Sequence, residues 1–291
     1  MPSKPNTTMP ASADWTPTPH CCELAGMTND DFEYLRFEYD EDVLVVTIDK
    51  ANDALNKVDG RMHHELTHLF PRLRAEREAR AVLLTGTESA FSAGGDFAWF
   101  PEFQEPGFAA NLRLDGKSLI WDLLDVHLPL VCAVTGHAMG LGASIALLCD
   151  VVVMSETARL GDPHVKVGIV AGDGGTIAWP LVLGPVLAKR FLLTGDAVAA
   201  KEAARLGLIT EATPDAESCQ AAGLAWAKRL AAGAPQAVQY TKQAINAWIK
   251  QTMGSAFDLS TALEMLTFTS EDHAEALAAL VEKREPRFTG R

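Results

Sequence analysis

Apolar positions along this chain follow two periods in turn. Residues 37–39 read as strand, residues 43–48 are a β-branched run typical of a buried strand, and residues 60–74 then show the spacing of a helix. The alternation continues. Residues 81–85 predict a strand, the segment after Phe97 a loop and then a helix to about residue 126, and residues 130–134 a third strand. Residues 142–148 predict a helix and residues 150–154 a fourth strand, after which a glycine-jointed loop carries His164 and Asp173 into a helix beginning near Gly174. From about Pro185 the chain is almost wholly Ala/Leu-rich helix. Strands alternating with helices imply parallel crossovers, hence an α/β fold with a C-terminal helical subdomain packed on it. The expected domains are a core over residues 31–210 and a helical unit over residues 211–291. Residues 1–30 are rich in Pro, Ser, Thr and Asn with no hydrophobic period, and are expected to form a disordered or loosely docked extension. No internal repeat is visible.

Composition narrows the functional classes. With 291 residues and 48% apolar side chains the chain can bury a sizeable core, and its formal charge of −13 argues against nucleic acid or an anionic membrane as the main partner. Any phosphate site must be local. No run approaches 18 uninterrupted apolar residues and no signal-peptide pattern opens the chain, so neither a membrane span nor export is expected. The five cysteines, Cys21, Cys22, Cys132, Cys149 and Cys219, are odd in number and scattered, as reduced thiols of a cytoplasmic protein would be.

Three glycine-bearing segments carry candidate chemistry. Residues 91–97 (FSAGGDF) and 136–144 (GHAMGLGAS) offer bare backbone amides, and the loop from Leu160 to Gly175 places a histidine and an aspartate on a flexible backbone. These segments, followed by residues 193–196 (LTGD), 203–209 (AARLGLI) and 281–288 (VEKREPRF), resemble the crotonase (enoyl-CoA hydratase/isomerase) superfamily in order and spacing. The resemblance covers roughly residues 37–288. It implies a spiral of ββα turns, a homotrimer or dimer of trimers, and action on acyl-CoA thioesters, with CoA entering as part of the substrate and no separate cofactor or metal.

By that resemblance the backbone N–H groups of Gly95 and Leu141 form an oxyanion hole, with Ala93, Asp96, Ser144, Phe268 and Lys283 around the substrate. Hydratases of the superfamily use two glutamates, and the matching positions here hold Ser144 and His164. His164 is therefore expected to move the proton, with Asp173 orienting it or balancing its charge. An N-cap role for Asp173 is the bland alternative. The His164 and Asp173 arrangement, with His63 upstream, is also similar to the oxocamphor hydrolase branch, which cleaves β-diketones without CoA. The primary expectation is an enoyl-CoA hydratase/isomerase-type enzyme; the alternatives are a CoA-independent C–C hydrolase and an inactive scaffold. Residues 64–68 (HELTH) also match the zinc-protease pattern H-E-x-x-H, but on an ordinary crossover helix with no clear third ligand.

Overall fold

The β-branched run Val43–Ile48 (β2) pairs antiparallel with Leu35–Asp40 (β1) and opens the fold. The computed structural model describes residues 29–104 and 107–291; most of the expected N-terminal extension, with Cys21 and Cys22, lies outside them. After β2 come α1 (Gly60–Ala75), β3 (Ala81–Thr85), β4 (Ala90–Ser92), α2 (Phe108–Asp125), β5 (Leu130–Val134) and β6 (His137–Met139). They are followed by α3 (Leu141–Leu147), β7 (Val151–Ser155), β8 (Arg159–Gly161), α4 (Gly175–Thr194), β9 (Val198–Ala199) and α5 (Ala200–Leu206). The chain ends with β10 (Glu211–Thr213), α6 (Ala216–Ala231), α7 (Pro235–Phe268) and α8 (Glu271–Glu282).

The main sheet has the order β1-β2-β3-β5-β7-β10, and every pair after the first hairpin is parallel. Side chains alternate across it as the strand period requires. Leu44, Val46, Val82, Leu84, Cys132 and Val134 enter one core with α1, α2 and α3, whereas Val43, Ala81, Leu83, Val131, Ala133 and Val153 pack under α6. The sheet therefore runs past residue 210, since Glu211–Thr213 pairs with Val153–Ser155 and α6 lies on the strands. A three-residue strand between helices carries no readable period, so composition alone merged it into the helical tail.

A second sheet, β4-β6-β8-β9, matters more for function. Its first three strands are short, adjacent and parallel, and each runs directly into one of the glycine-bearing segments. Helices α7 and α8 then fold back over those strand ends, α7 against α2 and α4, α8 against the turn His164–Val167. Among the described residues one helix, Gly175–Thr194, is long and apolar enough to cross a membrane by composition, with mean hydropathy 1.4. It is kinked at Gly184, and its first turn packs against the candidate site.

Helix α7 is anchored by a buried lysine. Lys242 Nζ donates to Leu128 O at 2.8 Å and to Asp150 Oδ2 at 2.6 Å, tying the helix to the end of the main sheet. Lys242→Met keeps the stem but takes the ammonium donor from Leu128 O and leaves Asp150 Oδ2 only the Leu130 N–H, so it should cost about 2 kcal/mol of stability. Urea unfolding measures this, and a loss below about 0.5 kcal/mol would show that the anchor does not hold α7.

Candidate active site

The two glycine turns meet. Gly94 and Gly140 take left-handed or otherwise unusual backbone angles (φ 83° and 53°), and a Cβ on Gly140 would stand 3.1 Å from His164 Cε1. The close approach brings Gly95 and Leu141 to the wall of one cavity. Among the described residues no acceptor takes either N–H; Leu141 opens α3 and has no partner within its own helix.

The third strand end supplies the charge. His164 follows β8 in a short 3-10 turn, and its ring lies between two carboxylates: Nδ1 donates to Asp162 Oδ1 at 2.5 Å, and Nε2 faces Asp173 Oδ2 at 3.3 Å. Burial alone would discharge the ring. The two aspartates reverse this and raise its pKa well above the ordinary histidine value, Asp162 contributing more than Asp173. His164 therefore rests as an imidazolium at neutral pH, a proton donor rather than the free base that its sequence position suggests. Asp173 does not cap α4; Gly174 occupies the N-cap, and Ser144 Oγ donates to Asp173 Oδ1 at 3.4 Å. Asp162 is fully buried, and its Oδ2 lies so close to the start of α4 that a Cβ on Gly175 would stand 2.0 Å away. The His164, Asp162 and Asp173 ligand atoms fall within 4.8 Å of one another. As a cation site they would have to surrender both hydrogen bonds of the ring, because the carboxylates occupy opposite nitrogens.

The cavity above this group encloses about 650 Å3 when the open space at its mouth is counted. Trp99, Phe100, Phe103 and Phe268 make much of its wall apolar. Two residues absent from the sequence expectations also line it, Arg113 from α2 and Glu264 from α7. The Glu264 carboxyl lies against Gly172, beside Asp173, where a Cβ on the glycine would be 2.7 Å from Oε2. Burial, then the charge of Asp173, push its pKa well up, although the His164 charge opposes this. Burial thus favours the protonated form of Glu264. His63 lines the cavity beside Trp99 and is neutral, burial and then His64 lowering its pKa to about 4.

The comparisons with known proteins show the family. A family model described as Enoyl-CoA hydratase/isomerase matches residues 38–291. The chain belongs to this family. It is 30% identical to a probable enoyl-CoA hydratase of Mycobacterium bovis over 260 residues, 89% of this chain and 99% of the relative. Among solved structures, an enoyl-CoA hydratase/isomerase from Mycobacterium paratuberculosis superposes with a TM-score of 0.80 at 34% identity, covering 85% of this chain and 99% of that one. A β-diketone hydrolase from Anabaena sp. PCC 7120, solved with (S)-3-oxocyclohexyl acetic acid, gives 0.77 at 30% identity, covering 82% and 96%.

As a member of the enoyl-CoA hydratase/isomerase family, the chain departs at the two positions where glutamates were expected. Ser144 is buried inside α3 and touches the site only through Asp173, while His164 holds the centre. The structure brings two carboxyl groups to the cavity from elsewhere, Asp173 and Glu264. Phe268 lines the cavity, as its position implied; Ala93, Asp96 and Lys283 do not. Asp96 turns to Lys57 at 3.1 Å, and Lys283 is the exposed C-cap of α8. In the H-E-x-x-H segment, Glu65 points inward and accepts from the backbone N–H groups of Glu33 and Tyr34 at 2.8 and 2.9 Å. Its carboxylate fastens β1 to α1 and is not available as a hydrolytic base.

Asp162 has no other described task than holding the His164 ring. Asp162→Asn should therefore lower the His164 pKa toward the ordinary value near 6.5, read by NMR titration of the ring. An unchanged titration would mean that Asp162 does not hold the proton on the ring.

Proposed function

We propose that this protein is an acyl-CoA-processing enzyme of the enoyl-CoA hydratase type, with a carboxyl pair drawn from Asp173 and Glu264. The observation that carries the reading is the placement of the Glu264 carboxyl, whose burial favours the protonated form, beside the ion-paired Asp173 carboxylate in the cavity walled by Gly95 and Leu141. Carboxyls whose surroundings drive them into opposite protonation states are the requirement for paired acid and base work.

The thioester oxygen accepts from the N–H groups of Gly95 and Leu141, which stabilise the enolate as charge develops. Asp173 takes a proton from the attacking water as its oxygen bonds to Cβ, and Glu264 gives its proton to Cα. Exchange with solvent resets both. The His164 imidazolium keeps Asp173 in position and spreads the charge that passes through it, a shift of role from mobile base to fixed cation. His63, neutral against Trp99, offers a second polar contact within the apolar wall.

A second reading is favoured by one observation: the likeness to the β-diketone hydrolase. Under it the same N–H pair holds the enolate left by C–C cleavage of a β-diketone, and no CoA is bound. An inactive scaffold fits less well, because two carboxyls, an ion-paired imidazole and two backbone N–H groups without acceptors converge on one cavity. Apolar side chains exposed on α4 and α7, among them Val186, Leu193, Ile245 and Trp248, support the expected trimer.

The test is kinetic. Asp173→Asn and Glu264→Gln should each lower kcat on the preferred enoyl-CoA by about a hundredfold or more, with a smaller effect on KM. The Glu264 acid is active only while protonated, so the wild-type rate should fall as pH rises through its raised pKa, and Glu264→Gln should lose that limb. Rates within about threefold of wild type in both variants would sink the carboxyl-pair mechanism. Turnover of a cyclic β-diketone by a protein to which calorimetry detects no CoA binding would establish the second reading instead.

A further inference from the structure

Arg113 is the one arginine or lysine among the residues that line the cavity. It stands on α2 between Leu112 and Gly116, across from Thr261 and Met265 of α7, and is half-buried. Its Nε donates to Thr261 Oγ1 at 3.4 Å. Among the described residues no carboxylate lies within ion-pair reach of its guanidinium, in a chain with 38 acidic residues against 25 lysines and arginines. The other charges of the wall are already matched: the imidazolium of His164 is met by Asp162 and Asp173, while Glu264 and His63 are held neutral. A guanidinium has five N–H donors in a fork that fits a carboxylate, and an unmatched one in an apolar wall costs stability until a ligand supplies the acceptors.

We infer that Arg113 receives a carboxylate carried on the acyl group of the substrate, at the end remote from the thioester. The preferred substrates are then acyl thioesters bearing a second acid group, rather than simple alkyl chains. The inference rests on the acyl-CoA reading above. A phosphate of CoA offers the same anionic oxygens. It fits less well, since a diphosphate brings at least two charges and no second lysine or arginine stands in the lining.

Two saturated acyl-CoAs of equal chain length, one ending in a carboxylate and one in a methyl group, separate these cases because neither can be hydrated. Calorimetry should show wild type binding the carboxylate-ended compound about tenfold more tightly or better. Arg113→Met should abolish that preference and leave the methyl-ended compound unchanged, whereas Arg113→Lys should keep part of it. CoA alone should bind both wild type and Arg113→Met equally. Equal binding of the two thioesters by wild type, no binding of either, or equal weakening of both in Arg113→Met would overturn the inference. Weaker binding of CoA alone in that variant would assign the arginine to phosphate and overturn it too. The two readings fail separately. Carboxylate preference without turnover of any enoyl-CoA leaves Arg113 as assigned and sinks the hydratase reading, while turnover without preference sinks the Arg113 assignment alone.

Discussion

A charged imidazole taken out of water carries a penalty of several kcal/mol, which only well-placed counter-charges can offset. Around His164 two carboxylates meet that demand, and their positions dictate the local structure. Asp162 must end β8 in the same turn as the histidine, its second oxygen must fit under the first residue of α4, and only a glycine at 175 leaves room for it. On the other side, Gly140 must lack a side chain for the ring to lie against the turn that presents Leu141. The strand end, the helix start and the backbone hole are thus parts of one packing solution.

The same charge explains the state of Glu264. With His164 positive and Asp162 and Asp173 negative, the buried group sums to minus one, and ionising a fourth member would add a second negative charge in an apolar wall. The carboxyl that α7 lowers onto Gly172 therefore keeps its proton. The C-terminal helices thus bring a carboxyl to the cavity as well as covering it. Lys242 and Asn246 fix the early turns of α7 to the carbonyls of Leu128 and Leu124, and about four to six turns beyond Asn246 the same helix delivers Thr261, Glu264 and Phe268 to the cavity.

Much of this could be read in the sequence, and the exceptions share a cause. Strands β2, β3, β5 and β7 were legible because each is a five- or six-residue apolar run, and α1 because Asp59 caps a segment with helical spacing. Strands β4, β6 and β8 were legible only as glycine-bearing motifs, since three residues carry no period. The family resemblance located Gly95, Leu141 and His164 by order along the chain. It could not locate Glu264 or Arg113, which reach the cavity from helices where the sequence shows only ordinary polar positions. Asp162 was overlooked for a different reason. It sits two residues before the histidine, and that spacing alone does not show that the turn folds its carboxylate back onto Nδ1.

The two histidines of the cavity respond to pH in opposite senses, and their difference defines a working window. His164 has a raised pKa, so its ion pairs stabilise the fold fully below the ordinary histidine pKa, and this contribution is lost only as pH climbs through the raised value. His63 has a pKa lowered from 6.5 to about 4, so the unfolded chain binds its proton first, and stability is lost as pH falls from about 6.5 toward 4. Near neutrality one ring is charged and the other is not. The cavity then presents a fixed cation at its floor and a neutral imidazole against Trp99. Acid removes this asymmetry by charging His63 within an apolar wall, and base removes it by discharging His164. Loss of activity on the acid side should therefore accompany loss of stability and disappear in His63→Gln, whereas the basic side, where Glu264 gives up its proton, should not.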